Sequence, residues 1–308
     1  MEQNQLDNER IGGVLLDYTD YDGADVYNEG DDEEEFVLET LRTHKDPEEV
    51  LRRDNRWPVL YQLSPIRRTI VLPMDLHKTD SVLEIGAGMG AITGAMAQRC
   101  AQVDCVELSR RRCLANAYRN QQYDNIQILV GNFEKVHLEP GYDVVTLIGV
   151  LEYAGFYIHG AENPAKAMLR RIWELMKPGG RLYIAIENRL GMKYFAGCQE
   201  DHLGRPYIGI EGYTQADGVR TFSKGEITDL LTESGFGQLY FYYPYPDYKL
   251  PNVIYSDDML CGEFLPEVVN MDAPRLRVFD ERRAMESMKD TAEFAIFANS
   301  FLIEAVKP

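Results

Sequence analysis

The sequence predicts an α/β protein built on a mostly parallel sheet, and three observations carry that expectation. Residues 82–90 read Val-Leu-Glu-Ile-Gly-Ala-Gly-Met-Gly, a short apolar strand that ends in an acid and runs directly into three alternating glycines. Short apolar runs then alternate with helix-period segments along most of the chain, the pattern of a doubly wound sheet. The chain, 308 residues and 45% hydrophobic, is long enough to bury one large core with insertions.

Asp46-Pro47-Glu48-Glu49 supplies a capping residue, a proline for the first helical position and two acids for the first turn, so a helix is expected to about Arg53. Ser64-Pro65 repeats the device before Ile66 to Leu72. These two helices form an N-terminal helical cap over residues 41–80. Val82 to Ile85 is a run suited to a strand buried on both faces. Gly86, Gly88 and Gly90 let the next turn pass close to a ligand. Further strands are expected at 103–107, 126–130, 142–148, 181–186, 238–243 and 300–306. Helices are expected at 91–99, 110–119, 164–176 and 224–233. Pro178-Gly179-Gly180 turns the chain into the fifth sheet strand.

The turn satisfies two fingerprints. Gly86, Gly88 and Ala91 fit G-x-G-x-x-G/A, and Glu107 follows about twenty residues on, as a dinucleotide site requires. An acid beside the turn would repel a pyrophosphate, so Glu84 favours a phosphate-free cofactor that is zwitterionic at one end. A structural turn with no ligand is the third reading.

On these residues the chain resembles a class I S-adenosylmethionine-dependent methyltransferase over about 60–245 plus the last strand. The resemblance implies a Rossmann-like, seven-stranded sheet with helices on both faces, the last strand antiparallel beside the fifth, and S-adenosylmethionine as cofactor with S-adenosylhomocysteine as product. It implies that Glu84, Gly86, Ala87 and Gly88 lie near the methionine end, and that Glu107, followed by Leu108, accepts from both ribose hydroxyls. Asn132 stands where the family usually has Asp, and its amide oxygen can still accept from the adenine amino group while Phe133 lies against the base. Gly149-Val150-Leu151-Glu152-Tyr153 resembles the loop that borders the transferable methyl. Tyr61 with Arg67 or Arg68 are candidates for the cofactor's carboxylate.

Composition limits the rest. No apolar run reaches the roughly 20 residues of a membrane span, and the polar start lacks a signal peptide's basic and apolar regions, so a cytoplasmic location is expected. The five cysteines, Cys100, Cys105, Cys113, Cys198 and Cys261, show neither a disulfide framework nor zinc-ligand spacing, and no metal is expected. Residues 1–40 hold fourteen Asp or Glu against one Arg within a net charge of −18. Such a segment is expected to be solvated and mobile, with a lid or a basic-peptide attractor as the alternative, and the overall charge argues against a nucleic acid partner.

Two insertions are expected to select the acceptor, one near 187–221 and one near 244–299. The first begins Glu187-Asn188-Arg189 and carries Asp201-His202; the second opens Pro-Tyr-Pro-Asp-Tyr-Lys-Leu-Pro. A carboxylate acceptor is already ionised and needs a cationic clamp, for which Arg189, Lys193, Arg205 and Arg220 are candidates. A sugar hydroxyl needs a base, with His202 the first candidate and Glu187 and Asp201 behind it. Tyr153 and Asn188 are further candidates for contact with the acceptor. The string from Ile186 to His202 resembles bacterial methyltransferases that esterify the C-terminal carboxylate of lanthipeptides or act in surface-glycan assembly. The resemblance implies a peptide, glycan or small-molecule acceptor, with peptide carboxylate O-methylation preferred because cations outnumber bases in the insertion. A non-catalytic scaffold that binds the cofactor is the contrasting expectation, and the oligomeric state is left open.

Overall fold

The computed structural model describes residues 6–23, 30–214, 217–260 and 275–308. Cys261 and part of the acidic N-terminal segment therefore lie outside the described residues. The chain divides into two compact units, Met1–Thr146 with Leu175–Lys177, and Leu147–Glu174 with Pro178–Pro308. No described helix is long and apolar enough to cross a membrane.

The first unit holds strands β1 (Glu9–Ile11), β2 (Val14–Asp17), β3 (Ser81–Ile85), β4 (Gln102–Glu107), β5 (Ile126–Val130) and most of β6 (Tyr142–Ile148), in the spatial order β1-β2-β5-β4-β3-β6. β3, β4, β5 and β2 run parallel, with Glu84 opposite Cys105 and Glu107 opposite Val130. The fully buried Val82 and Leu83 match the apolar run that marked this strand in the sequence. Its helices are α1 (Asp31–Arg42), α2 (Pro47–Leu51), α3 (Trp57–Leu63), α4 (Thr93–Ala97) and α5 (Arg110–Asn120). Asp46 caps α2 by accepting from the Glu48 amide, and Pro65–Val71 forms a 3-10 turn where a regular helix was expected.

Residues 6–23 and 30–40 are folded, against the expectation of a mobile acidic segment. β1 and β2 form an antiparallel hairpin, and β2 joins β5 in parallel. Val14 and Leu16 are fully buried while Leu15 and Asp17 are not, a period-two pattern hidden by the surrounding acids. At the hairpin turn a Cβ on Gly13 would lie 2.3 Å from the Tyr123 carbonyl, so only glycine allows that approach. Helix α1 buries Val37, Leu38 and Leu41 against Val59, Leu63, Ala115 and Met89, the last a residue of the glycine turn. Its Glu34 accepts from Arg112 at 2.6 and 3.0 Å in a buried ion pair.

The second unit contains α6 (Ala154–Tyr157), α7 (Pro164–Leu175), β7 (Met176–Glu187), α8 (Met192–Phe195), α9 (Ile208–Glu211), α10 (Lys224–Glu233), β8 (Gly237–Tyr245), β9 (Val253–Ser256), α11 (Glu281–Ser287), α12 (Glu293–Phe297) and β10 (Ser300–Val306). β10 pairs antiparallel with β7, Ser300 opposite Glu187, and with β8 on its other edge. β9 extends that order antiparallel to β8. Ser223 and Glu226 close a capping box at the start of α10. Phe241, Tyr243, Phe294 and Phe301 form an aromatic core by edge-on contacts. The insertion after β7 carries α8 and α9, and the one after β8 carries β9, α11 and α12.

One expectation is corrected. The described residues hold ten strands where seven were expected, because the β1–β2 hairpin and β9 add strands the seven-strand pattern lacks. β2, β5, β4 and β3 run parallel as expected, and the pairs of β7, β10, β8 and β9 with one another are antiparallel.

Candidate functional site

In the first unit the glycine turn is fixed from both sides. Gly86 donates to the Val106 carbonyl at 2.8 Å, which ties the end of β3 to β4. Glu107 holds the turn with its side chain: Oε2 accepts from the Gly88 amide at 2.8 Å and Oε1 from the Ser109 amide at 2.9 Å. Gly88 has φ 53°, and a Cβ there would meet nothing within 4 Å. Open space in front of a left-handed glycine is what close approach of a ligand to backbone requires. Ala87 is buried, Leu108 half-buried, and Ser109 caps α5.

Glu84 lies behind this turn, buried, and accepts from Thr93 Oγ1 at 2.6 Å and from Cys105 Sγ at 3.4 Å. Burial pushes its carboxyl up to about 7 against the opposing effect of those two donors. Asn116 donates to Thr93 Oγ1, and Asn120 to both Asn116 Oδ1 and the Gly90 carbonyl, so a buried polar chain runs from Glu84 back to the turn. Sequence reading missed Thr93, Asn116 and Asn120; the four-residue spacing of the two asparagines on one face of α5 was the available signal.

Tyr61 and Arg67 come together, the guanidinium carbon 4.1 Å from the ring centroid. Arg119, which the sequence did not single out, is half-buried near Arg67 and Arg68; desolvation and then those two charges lower it to about 9. Three guanidinium groups collected in this way would be relieved by a carboxylate. Asn132 follows β5, and its Oδ1 accepts from the Glu134 amide at 2.9 Å, so the expected acceptor oxygen already caps a turn. Phe133 is buried beside it in sequence. Gly149 falls in the second unit, where its amide donates to the Ala185 carbonyl at 2.9 Å and a Cβ would meet the Tyr248 hydroxyl at 2.8 Å.

The second unit brings together a different set. Glu152 and Tyr153 lie in a 3-10 turn, Glu187 ends β7, Asp201 and His202 come from the first insertion, and Lys249 from the second. Lys249 Nζ lies 2.6 Å from Glu187 Oε1 and 2.6 Å from Asp201 Oδ1, and Lys193 Nζ lies 2.8 Å from Asp201 Oδ2. His202 Nε2 faces Glu187 Oε2 at 3.4 Å, and its Nδ1 is 3.0 Å from the Tyr153 hydroxyl. Glu200 accepts from the amides of His202 and Leu203 and from the Tyr213 hydroxyl. Glu152, only 2% exposed, has no hydrogen-bond partner for either oxygen among the described residues.

Electrostatics follow from that packing. Burial and then the Glu187 charge push Glu152 up to about 8. Burial acts to raise Glu187 too, but Lys249 and His202 outweigh it and hold that carboxyl far below its usual range. For His202 burial would lower the value, and the charge of Glu187 overrides it to bring the imidazole up to about 9. His202, Tyr153 and Glu187 were legible as candidates; Glu152 and Lys249 were not, because nothing in their spacing links them to a histidine distant in the chain.

The expected acceptor contacts fare differently. Asn188 is fully buried, donates to the carbonyls of Ile296 and Ala298 at 2.8 and 2.7 Å, and accepts from the Leu190 amide at 3.0 Å. It spends its amide on holding β7 against the second insertion. Arg189 pairs with Glu226 at 2.6 Å, Arg220 with Glu226 at 3.2 Å, Arg205 with Asp217 at 2.6 Å, and Lys193 with Asp201. All four members of the expected cationic clamp are therefore already matched by carboxylates within the chain.

Comparison with known proteins finds methyltransferases. Residues 83–182 match a family model described as a methyltransferase domain. The ubiquinone biosynthesis O-methyltransferase of Pseudomonas paraeruginosa is 27% identical over 163 residues, 51% of this chain and 63% of that protein. That of Xanthomonas campestris pv. campestris is 29% identical over 145 residues, 44% of this chain and 57% of that protein. The chain thus spans less than two thirds of the length of these relatives. Among solved structures, a phosphoethanolamine N-methyltransferase 1 of Haemonchus contortus aligns with a TM-score of 0.49 and 12% identity, covering 90% of this chain and 49% of that one.

Proposed function

We propose that this chain, which carries a class I S-adenosylmethionine-dependent methyltransferase domain, transfers the cofactor's methyl group to the oxygen of a hydroxyl-bearing acceptor. The first unit binds the cofactor: the Gly86–Gly88 turn presents backbone, Glu107 takes the ribose hydroxyls on its remaining lone pairs, and Tyr61, Arg67 and Arg119 gather the carboxylate. Methyl transfer is an in-line displacement at a sulfonium carbon, so alignment is the main requirement and a proton acceptor is added only for a neutral nucleophile.

One observation carries the choice of acceptor. In the second unit a buried carboxylate pair and an imidazole, Glu152, Glu187 and His202, face one another with both Glu152 oxygens without a hydrogen-bond partner among the described residues. Such a group is suited to taking a proton from a hydroxyl, with the half-buried Tyr153 as the contact between acceptor and His202. Esterification of a peptide carboxylate, the other acceptor expected from sequence, calls for a free cationic clamp, and Arg189, Lys193, Arg205 and Arg220 are each paired. The names of the relatives, O-methyltransferases, support oxygen as the methylated atom.

The test is mass spectrometry of acceptors incubated with the chain and S-adenosylmethionine. Saccharide and phenolic hydroxyls are expected to gain a methyl group that survives mild alkali, with the rate reduced at least a hundredfold in Glu152→Gln. An alkali-labile methyl ester on a peptide terminus, or full activity of Glu152→Gln on hydroxyls, overturns the reading.

A further inference from the structure

The carboxylates of the second unit are not equally provided for. Lys193 and Lys249 answer Asp201 and Glu187, and Glu200 receives two amides and a tyrosine hydroxyl. Glu152 is buried with no hydrogen-bond partner from another residue among the described residues. A buried carboxylate without a counter-charge is costly, by several kcal/mol per ion in a protein interior, so Glu152 either holds its proton or takes a positive partner, and a bound cation would supply that partner.

The imidazole points the same way. His202 Nδ1 lies 3.0 Å from the Tyr153 hydroxyl and Nε2 faces Glu187 Oε2 at 3.4 Å; in the neutral imidazole that a cation selects, Nδ1–H donates to the tyrosine oxygen and the Nε2 lone pair is left for the ion. A ligating histidine is oriented by such a donation from its other nitrogen. Two ligand atoms 3.4 Å apart, each about 2.1 Å from a common ion, subtend a near-tetrahedral angle. Glu187 can ligate through Oε2 while Oε1 stays with Lys249, so no lysine has to leave.

We propose that Glu152, Glu187 and His202 form a binding site for a divalent cation, with one atom from each residue as ligand and the remaining positions open to water or an acceptor oxygen. The three candidate atoms lie within 4.8 Å of one another, and a shift of about 1 Å by the Glu152 side chain, soft at its terminal torsion, brings them to a common ion. Two carboxylates and an imidazole suit Mn²⁺, Fe²⁺ or Zn²⁺ and not the soft ions that prefer thiolates. The inference rests on the hydroxyl reading and deepens it, since an ion-bound hydroxyl gives up its proton more readily, here to the Glu152 oxygen that does not ligate, but binding can be measured without turnover.

The full chain, stripped with EDTA and desalted, is titrated with Mn²⁺ while electron paramagnetic resonance follows the free ion. One Mn²⁺ per chain is expected, displaced by Zn²⁺, with affinity at least tenfold weaker in Glu152→Gln and in His202→Ala. Pulsed measurements on the wild-type chain are expected to show coupling to one imidazole nitrogen, and this decides the matter even where a variant fails to fold. No saturable uptake, no nitrogen coupling, or unchanged affinity in folded variants overturns the site. Hydroxyl methylation by metal-free protein that still depends on Glu152 would reject the cation and leave the proposed function standing.

Discussion

The Tyr153 hydroxyl lies 3.0 Å from His202 Nδ1, and this contact decides which edge of the imidazole meets the carboxylate of Glu187. Tyr153→Phe removes the oxygen and leaves the ring, whose edge contact with the imidazole has centroids 5.1 Å apart. Supporting contacts of this kind are worth roughly 10- to 100-fold in activity. The variant is expected to lose about tenfold in kcat with KM for the cofactor unchanged, as initial-rate kinetics would show. Equal loss in cofactor affinity would mean that the tyrosine serves the fold more widely.

In the proposed cofactor site Glu107 has two duties, since the oxygens that would meet a ribose also hold the glycine turn by accepting from Gly88 and Ser109. Hydrogen bonds to a charged group are worth about 1.5–3 kcal/mol each. Glu107→Ala is expected to weaken S-adenosylmethionine binding more than tenfold by calorimetry, and Glu107→Gln, which keeps one acceptor oxygen, by less. Unchanged affinity in the alanine variant would remove Glu107 from the cofactor site.

Glu84 gives stability a pH dependence whose sign is fixed by burial. Its folded value of about 7 lies above the unfolded 4.5, so the folded state holds the proton more tightly. That contribution is complete below about pH 4.5 and is lost as pH rises through 7, by up to about 3 kcal/mol at 1.36 kcal/mol per unit. Urea midpoints of the wild type are expected to fall between pH 5 and pH 8 more steeply than those of Glu84→Gln. Parallel curves for the two proteins would contradict the assignment.

The buried pair of Glu34 and Arg112 joins α1 to α5. Removing one partner of such a pair costs about 3–5 kcal/mol because the other charge stays buried, whereas replacing both with apolar residues costs far less. Glu34→Ala is expected to be the more damaging change and Glu34→Leu with Arg112→Met the milder one, read by urea denaturation. A double variant less stable than Glu34→Ala would show that the pair contributes net stability.

Much of the frame was legible in the chain. β3, β4, β5, β6 and β10 fall within a residue of their expected limits because buried strands are written as short, mainly apolar segments between turn residues. The first helix after the glycine turn is shorter than expected, Thr93–Ala97 against 91–99, since its small residues serve close packing more than helical length. The β1–β2 hairpin was hidden because two buried residues, Val14 and Leu16, are outweighed in any compositional average by the acids around them.

By itself the sequence determined the glycine turn, the acids near the ends of β3 and β4, and with them the class of cofactor, because those features depend on contacts between near neighbours in the chain. Only the tertiary structure decided that Arg189, Arg205 and Arg220 are occupied by Glu226 and Asp217, and that Glu152, Glu187 and His202 converge. The reason is physical: a charge takes its role from what lies within a few ångströms of it, and for these side chains the neighbours come from distant stretches brought together by folding.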